Sequence, residues 1–262
     1  MTEDTEQGLT FWGHLDVLRA TLIKVVAVAV IGGIVAFLFK EELFAIVLAP
    51  KESDFITYRL LYRISGLFIG DDTQDFSVQL INTGLAQQFI IHVKTAMCAG
   101  VLCTSPYILY QLFRFVSPAL YTNERKYAIH IVGSGYLMFI LGVLISYYLI
   151  FPLTFRFLGT YQVSGDVTNM ITLESYISTL TVMCLTMGIV FEMPIVTWLF
   201  ARMGLISPDF MRKYRKHAIV IILIVAAIIT PTSDIFTLLL VAIPMYLLYE
   251  TSITVARLAK RT

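Results

Sequence analysis

Four long, almost charge-free runs constrain this chain more than any other feature of it. They are ATLIKVVAVAVIGGIVAFLF (20–39), QFIIHVKTAMCAGVLCTSPYILYQLF (88–113), AIHIVGSGYLMFILGVLISYYLIF (128–151) and YISTLTVMCLTMGIVFEMPIVTWLFA (176–201). Each is long enough to cross a bilayer as a helix, which takes about 20 mostly apolar residues. Backbone in lipid must satisfy its own hydrogen bonds, so such runs fold as helices. Composition agrees, with 58% hydrophobic and only 14% charged residues in 262, where soluble domains carry about 25% charged. The expected fold class is an all-α polytopic membrane protein.

The last part of the chain differs. HAIVIILIVAAII (217–229) is short of a usual span, TPTSD (230–234) is a turn signal, and IFTLLLVAIPMYLLYETSITVA (235–256) follows. This is either a re-entrant hairpin or two helices crossing a locally thinned membrane. Charge placement favours crossing. The link 114–127 carries Arg114, Arg125 and Lys126, and 202–216 carries Arg202, Arg212, Lys213, Arg215 and Lys216. The tail holds Arg257, Lys260 and Arg261, whereas 152–175 has only Arg156 and 230–234 has no basic residue. Basic loops stay on the cytoplasmic side. Six crossings with both termini inside follow, and 40–87 becomes an external loop. It holds a short amphipathic element, LFAIVLAP, broken at Pro50. No repeat or separate soluble domain is visible, so 1–262 reads as one membrane domain. The start, MTEDTEQGLTFWGHLDVLR, is acidic and reads as a retained segment rather than a cleaved signal.

Within this frame a few residues stand out. Glu192 lies inside the fourth run beside Pro194. An ionisable group at that depth is a functional candidate, because hydrocarbon disfavours it strongly. The alternative is a protonated or hydrogen-bonded carboxyl in the bundle, bracing the proline kink. Pro106 is expected to kink the second span, and His92 and Lys94 mark one of its ends. Asp234 suits an N-cap of the last helix, and Glu250 suits the interface. His14, Asp16 and Arg19 read as an interfacial helix entering the first span. Glu124 stands beside Arg125 and Lys126 in the basic link, where an exposed pair is worth about 0–1 kcal/mol. Cys98, Cys103 and Cys184 read as small hydrophobes, with neither a disulfide framework nor a metal site. No H-E-x-x-H, G-x-S-x-G or Walker loop is present, so nothing points to an enzyme.

Five blocks together resemble the TatC family, the large subunit of the twin-arginine protein translocase. They are HLDVLR (14–19), SPYILYQLFRFVSPALYTNERKYA (105–128), FEMPIVTWLFARMGLISP (191–208), RKYRKHAIVIILIVAAIITP (212–231) and LLLVAIPMYLLYE (238–250). The resemblance implies six helices shaped like a cupped hand, the last two short, in the bacterial plasma membrane. It implies recognition of signal peptides with paired arginines on the cytoplasmic side, and TatA-type and TatB-type single-span partners in an oligomeric complex. Export of folded cargo would be driven by the proton-motive force, with no nucleotide, metal cofactor or nucleic acid. The family's recognition carboxylate falls on Glu124, and its aromatic neighbour on Phe115 in the same loop. Pro118 lies in that block too, and Pro50 matches a structural proline of the first external loop. Glu192 matches an intramembrane acid of F-E-x-P type, and Asp234 the acid after the T-P turn, here displaced by one extra residue. The family commonly has H-L-x-E-L-R at the start. In this chain the second carboxylate's position is Val17, and Asp16 stands one place earlier, near Arg19. One residue on a helix turns the side chain by about 100°. Asp16 substituting from a frayed or interfacial turn is the expectation. A proton-coupled carrier of small solutes is the alternative function, since a buried acid in broken helices suits that class, though no repeated halves support it.

Overall fold

The computed structural model describes residues 11–65, 78–116, 128–164, 169–230 and 234–261. Glycine sets two close helix pairs. Helices α1 (Phe11–Leu38) and α4 (Gln87–Val116) run antiparallel, so near that a Cβ on Gly100 would lie 2.6 Å from the Gly33 Cα. Farther along the same seam Phe37 stacks on His92 with ring centroids 4.0 Å apart. Helices α5 (Ala128–Ile145) and α7 (Leu173–Phe191) approach in the same way. A Cβ on Gly142 would meet the Phe191 Cβ at 2.8 Å. In lipid, apolar burial drives little association between helices, so backbone approach at small residues supplies much of the packing. The main core lies where the stretch after α5 meets α7 and the last two helices, around Phe151, Tyr176, Met183, Met187, Ala226, Val241 and Met245. Leu22, Ile31, Ile221, Ile228 and Leu247 face outward, as lipid-facing positions do.

Prolines break the main-chain ladder, and hydroxyls repair it. Pro106 lies inside α4 and leaves the Leu102 carbonyl without its usual donor, but Ser105 Oγ donates to that carbonyl at 2.7 Å. The helix continues through the proline. Pro152 follows a π-helical turn, Ser146–Ile150, and frees the Tyr148 carbonyl, which accepts from Thr57 Oγ1. The third run therefore does not end at 151. It continues as α6 (Phe151–Thr160), inside the stretch expected to be a loop. The fourth run divides at Glu192 into α7 and α8 (Met193–Arg202), because Pro194 has no N–H to carry the ladder on. Gly204, at φ 74°, ends α8, with Leu205 N–H donating to the Phe200 carbonyl at 2.9 Å.

The segment expected as an external loop is largely built. It contains α2 (Lys40–Leu48), a 3-10 turn Ala49–Lys51 and α3 (Ile56–Ser65). Three tyrosine hydroxyls hold the end of α2. Tyr147 donates to the Ile46 carbonyl (2.6 Å), Tyr176 to Val47 (3.1 Å) and Tyr58 to Pro50 (3.0 Å). Pro50 is buried there, in a structural setting. Burial pushes the Tyr58 hydroxyl above the usual phenol range, against the pull of the nearby Arg156 guanidinium. Two short strands, β1 (Leu80–Ile81) and β2 (Ile171–Thr172), pair in parallel with Leu80 opposite Ile171. Sequence alone signalled neither α3 nor this pair.

Five helical stretches among the described residues are long and apolar enough to cross a membrane: Leu15–Leu38, Gln87–Phe115, Ile131–Thr160, Leu173–Arg202 and Ile235–Ala259. Helix α9 (Pro208–Lys213) occupies part of the basic link and is capped by Ser207, whose Oγ accepts the Phe210 N–H at 3.1 Å. Helix α10 (Arg215–Ile229) has 15 residues, about 22 Å of helix. The expectation of two short final helices holds for α10. The last helix, α11 (Ile235–Arg261), is 27 residues long and absorbs the basic tail; its charge-free part, 235–249, is short and stops at Glu250. The start of α11 lies beside α6, with Phe236 and Phe157 centroids 4.5 Å apart. The start of α11 thus reaches the end of the bundle that α2 and α3 cover.

Candidate docking face and intramembrane acid

The antiparallel register of α1 and α4 decides which candidates share an end. Gly33 lies against Gly100 and Phe37 against His92. Following that register back along α1 brings Asp16 to the level of Phe115. Asp16, Val17 and Arg19 are exposed, and neither Asp16 nor Arg19 has an ion-pair partner among the described residues. Two expectations change here. Residues 14–19 do not form a separate interfacial helix or a frayed turn, because α1 runs unbroken from Phe11, with no proline to stop it. Phe115 is in the last turn of α4 rather than in the loop beyond it. Glu124 and Pro118 lie outside the described residues. The segment that carries them joins the end of α4 to the start of α5.

The basic end also contains a joint that sequence reasoning missed. Arg215 at the start of α10 donates through Nη2 to Glu250 Oε2 on α11 at 2.6 Å, and the Tyr246 hydroxyl donates to Oε1 of the same carboxylate at 3.2 Å. Glu250 is therefore a strut between the last two helices. Tyr249 donates to the Met211 carbonyl at 2.7 Å and ties α9 to the same helix. The Arg202 guanidinium lies over the Trp198 ring, 5.6 Å from its centroid.

Glu192 sits at the α7–α8 break, where its backbone N–H donates to the Ile189 carbonyl at 3.1 Å and its side chain caps neither helix. It is half-buried and lines a cavity of about 440 Å³ between α4, α5, α7 and α8, whose other walls include Ser105, Leu109, Phe139, Ile189 and Leu199. Its Oε1 is buried and has no hydrogen-bond partner among the described residues. Gly135 faces the carboxylate, where a Cβ would lie 3.2 Å from Oε2. Among the described residues no hydrogen bond to this carboxyl braces the proline break, and the group borders the cavity. Asp234 is placed differently. Its Oδ1 accepts the Thr237 N–H at 2.7 Å and caps α11.

The family described as "Sec-independent protein translocase protein (TatC)" matches residues 13–244. The Sec-independent protein translocase protein TatC of Blattabacterium sp. subsp. Periplaneta americana (strain BPLAN) is 36% identical over 259 residues, 97% of each chain. That of Aquifex aeolicus (strain VF5) is 35% identical over 251 residues, 95% of each. A crystal structure of the twin arginine translocase receptor TatC superposes with a TM-score of 0.76 at 33% identity, covering 94% of this chain and 99% of that one. These likenesses set aside the small-solute carrier. The chain belongs to the TatC family and is a core membrane subunit of the twin-arginine protein translocase.

Proposed function

We propose that the end of the α1–α4 pair, together with the basic link that follows α4, is the receptor face for twin-arginine signal peptides. The observation that carries this is the helix register, which sets Asp16 and Phe115 at one end, with Glu124 on the segment leaving that same end. Glu124 accepts one arginine of the pair and Asp16 the other. Guanidinium and carboxylate pair through charged, often bidentate hydrogen bonds, and a lysine lacks that fork. Phe115 supplies apolar contact beside the charges, and Arg19 keeps the face from becoming a purely acidic patch. The chain acts as one domain over 1–262, with six crossings and both termini in the cytoplasm. Its partners are TatA-type and TatB-type single-span subunits within an oligomer in the plasma membrane, and the proton-motive force drives export. Glu192, open to its cavity, offers a polar contact to a partner helix. Asp234 serves the capped hairpin at the opposite end.

The test is export of a folded reporter behind a twin-arginine signal in a strain lacking its own TatC. Glu124→Ala should abolish export and signal-peptide crosslinking, while Glu124→Asp retains part of both. Asp16→Ala should weaken crosslinking, and adding Val17→Glu to it should restore it. Wild-type export by Glu124→Ala, with normal amounts of protein in the membrane, would overturn the receptor face. Wild-type crosslinking by Asp16→Ala would remove Asp16 from it.

A further inference from the structure

Lys94 is the charged residue that the docking face and the Glu192 cavity leave unused. It lies in α4 about two turns, or ~10 Å, inward from Gln87. Its Nζ donates to Ser178 Oγ on α7 at 2.7 Å, and it has no carboxylate within ion-pair distance among the described residues. An ammonium at that depth in a spanning helix calls for an anion or for snorkelling. Lys94 opens into a notch of about 410 Å³ between α4 and α7. The outer wall of the notch carries the opposite charge. Glu174 stands one turn before Ser178 on α7, ~6 Å farther out. Gln87 holds Glu174 by donating its amide to Oε2, while its own carbonyl oxygen accepts the Gly84 N–H at 2.9 Å. Glu174 Oε1 accepts nothing from the described residues. One turn inward of Ser178, Val182 on α7 is exposed.

We propose that this notch binds the headgroup of one zwitterionic aminophospholipid. The lipid phosphate sits on Lys94 and Ser178, and its ammonium reaches outward to Glu174. The acyl chains run inward from the phosphate, past Val182 on α7. The order of charges selects the ligand: cation inside, carboxylate outside, spaced for a phosphate followed by an amine. An anionic headgroup without an amine satisfies only the inner half. A quaternary amine brings charge to Glu174 but no N–H to donate. Under the proposed orientation this is a lipid of the outer leaflet, whereas binding in detergent does not depend on the orientation.

The experiment is native mass spectrometry of the full chain in detergent. Dioleoyl phosphatidylethanolamine, phosphatidylcholine and phosphatidylglycerol are supplied singly and in pairwise competition. The wild-type chain should retain one ethanolamine lipid about tenfold over either competitor, the size of one charged hydrogen bond. Lys94→Gln should lower retention of all three lipids. Glu174→Gln should keep phosphate binding and make the ethanolamine and choline lipids equal. Equal or stronger retention of the glycerol lipid by the wild-type chain would overturn the proposal, leaving a plain anion site. So would unchanged ethanolamine retention in Lys94→Gln. Should a variant fail to fold, the competition on the wild-type chain decides alone.

Discussion

Replacing Gly100 by alanine tests the α1–α4 seam on which the proposed receptor face depends. The added methyl would lie 2.6 Å from the Gly33 Cα and 2.7 Å from the Gly32 carbonyl carbon. Both are backbone atoms of a facing helix, and no rotamer change relieves the overlap, so the helices must separate. Overpacking of this kind costs about 1–3 kcal/mol, and a backbone neighbour puts it at the upper end. Alanine returns up to ~1 kcal/mol through helix propensity. The net expectation is a loss of about 2 kcal/mol. Gly133→Ala is the control, because a Cβ there meets nothing within 4 Å; it should be neutral or slightly stabilising. Denaturant titration in detergent micelles reads the difference. Reporter export should fall in Gly100→Ala and persist in Gly133→Ala. If Gly100→Ala matches or exceeds Gly133→Ala in midpoint, the glycine seam does not hold these helices.

Three further outcomes are expected. Thr57→Val removes the donor to the Tyr148 carbonyl freed by Pro152 and should destabilise by about 1–3 kcal/mol; Thr57→Ser should restore most of it, read by the same titration. The Arg59 guanidinium bonded to Asp54 holds that carboxyl below its ordinary value of 3.8. This depressed folded-state value contributes stability above the ordinary one and loses it as pH falls through the lowered one, so wild type should lose more stability than Asp54→Asn on acidification below 3.8. A cysteine at Ser233, in a chain otherwise free of cysteine, should react with a membrane-impermeant maleimide added outside; labelling only from the cytoplasmic side would refute six crossings and favour a re-entrant hairpin.

The spans were legible because lipid imposes a single demand on sequence: about 20 residues without charge. That demand says nothing of where a helix ends once its surroundings supply other hydrogen-bond partners. The third helix passed its expected end because Thr57, far away in the chain, accepts the task of pairing the Tyr148 carbonyl's lone pair with an O–H. The cap built by α2 and α3 reads as a loop in sequence for a related reason. Its order comes from Tyr58, Tyr147 and Tyr176, whose hydroxyls reach carbonyls at the end of α2. Such pairings carry no periodicity, so no pattern along the chain announces them. Glu192 was visible because a lone acid in an apolar run is conspicuous, but the cavity beside it depends on Gly135, an ordinary glycine in sequence.

Asp16 shows how a structure changes the weight of a sequence departure. On paper, an acid displaced by one position turns by about 100° and faces elsewhere. That matters most on a helix with one buried face and one open one. At the start of α1, Leu15, Asp16, Val17 and Arg19 are all exposed. The rotation therefore moves the carboxylate around an open helix end instead of turning it into a core. A flexible ligand such as a signal peptide can follow a displacement of this size, since its arginines sit on long side chains. The displaced acid keeps its charge, its level beside Phe115 and its access to the cytoplasmic face proposed here. What it loses is only the direction of approach. On the proposed receptor face, the departure at Val17 would alter the angle at which the second arginine docks, with Glu124 as the proposed fixed point of recognition.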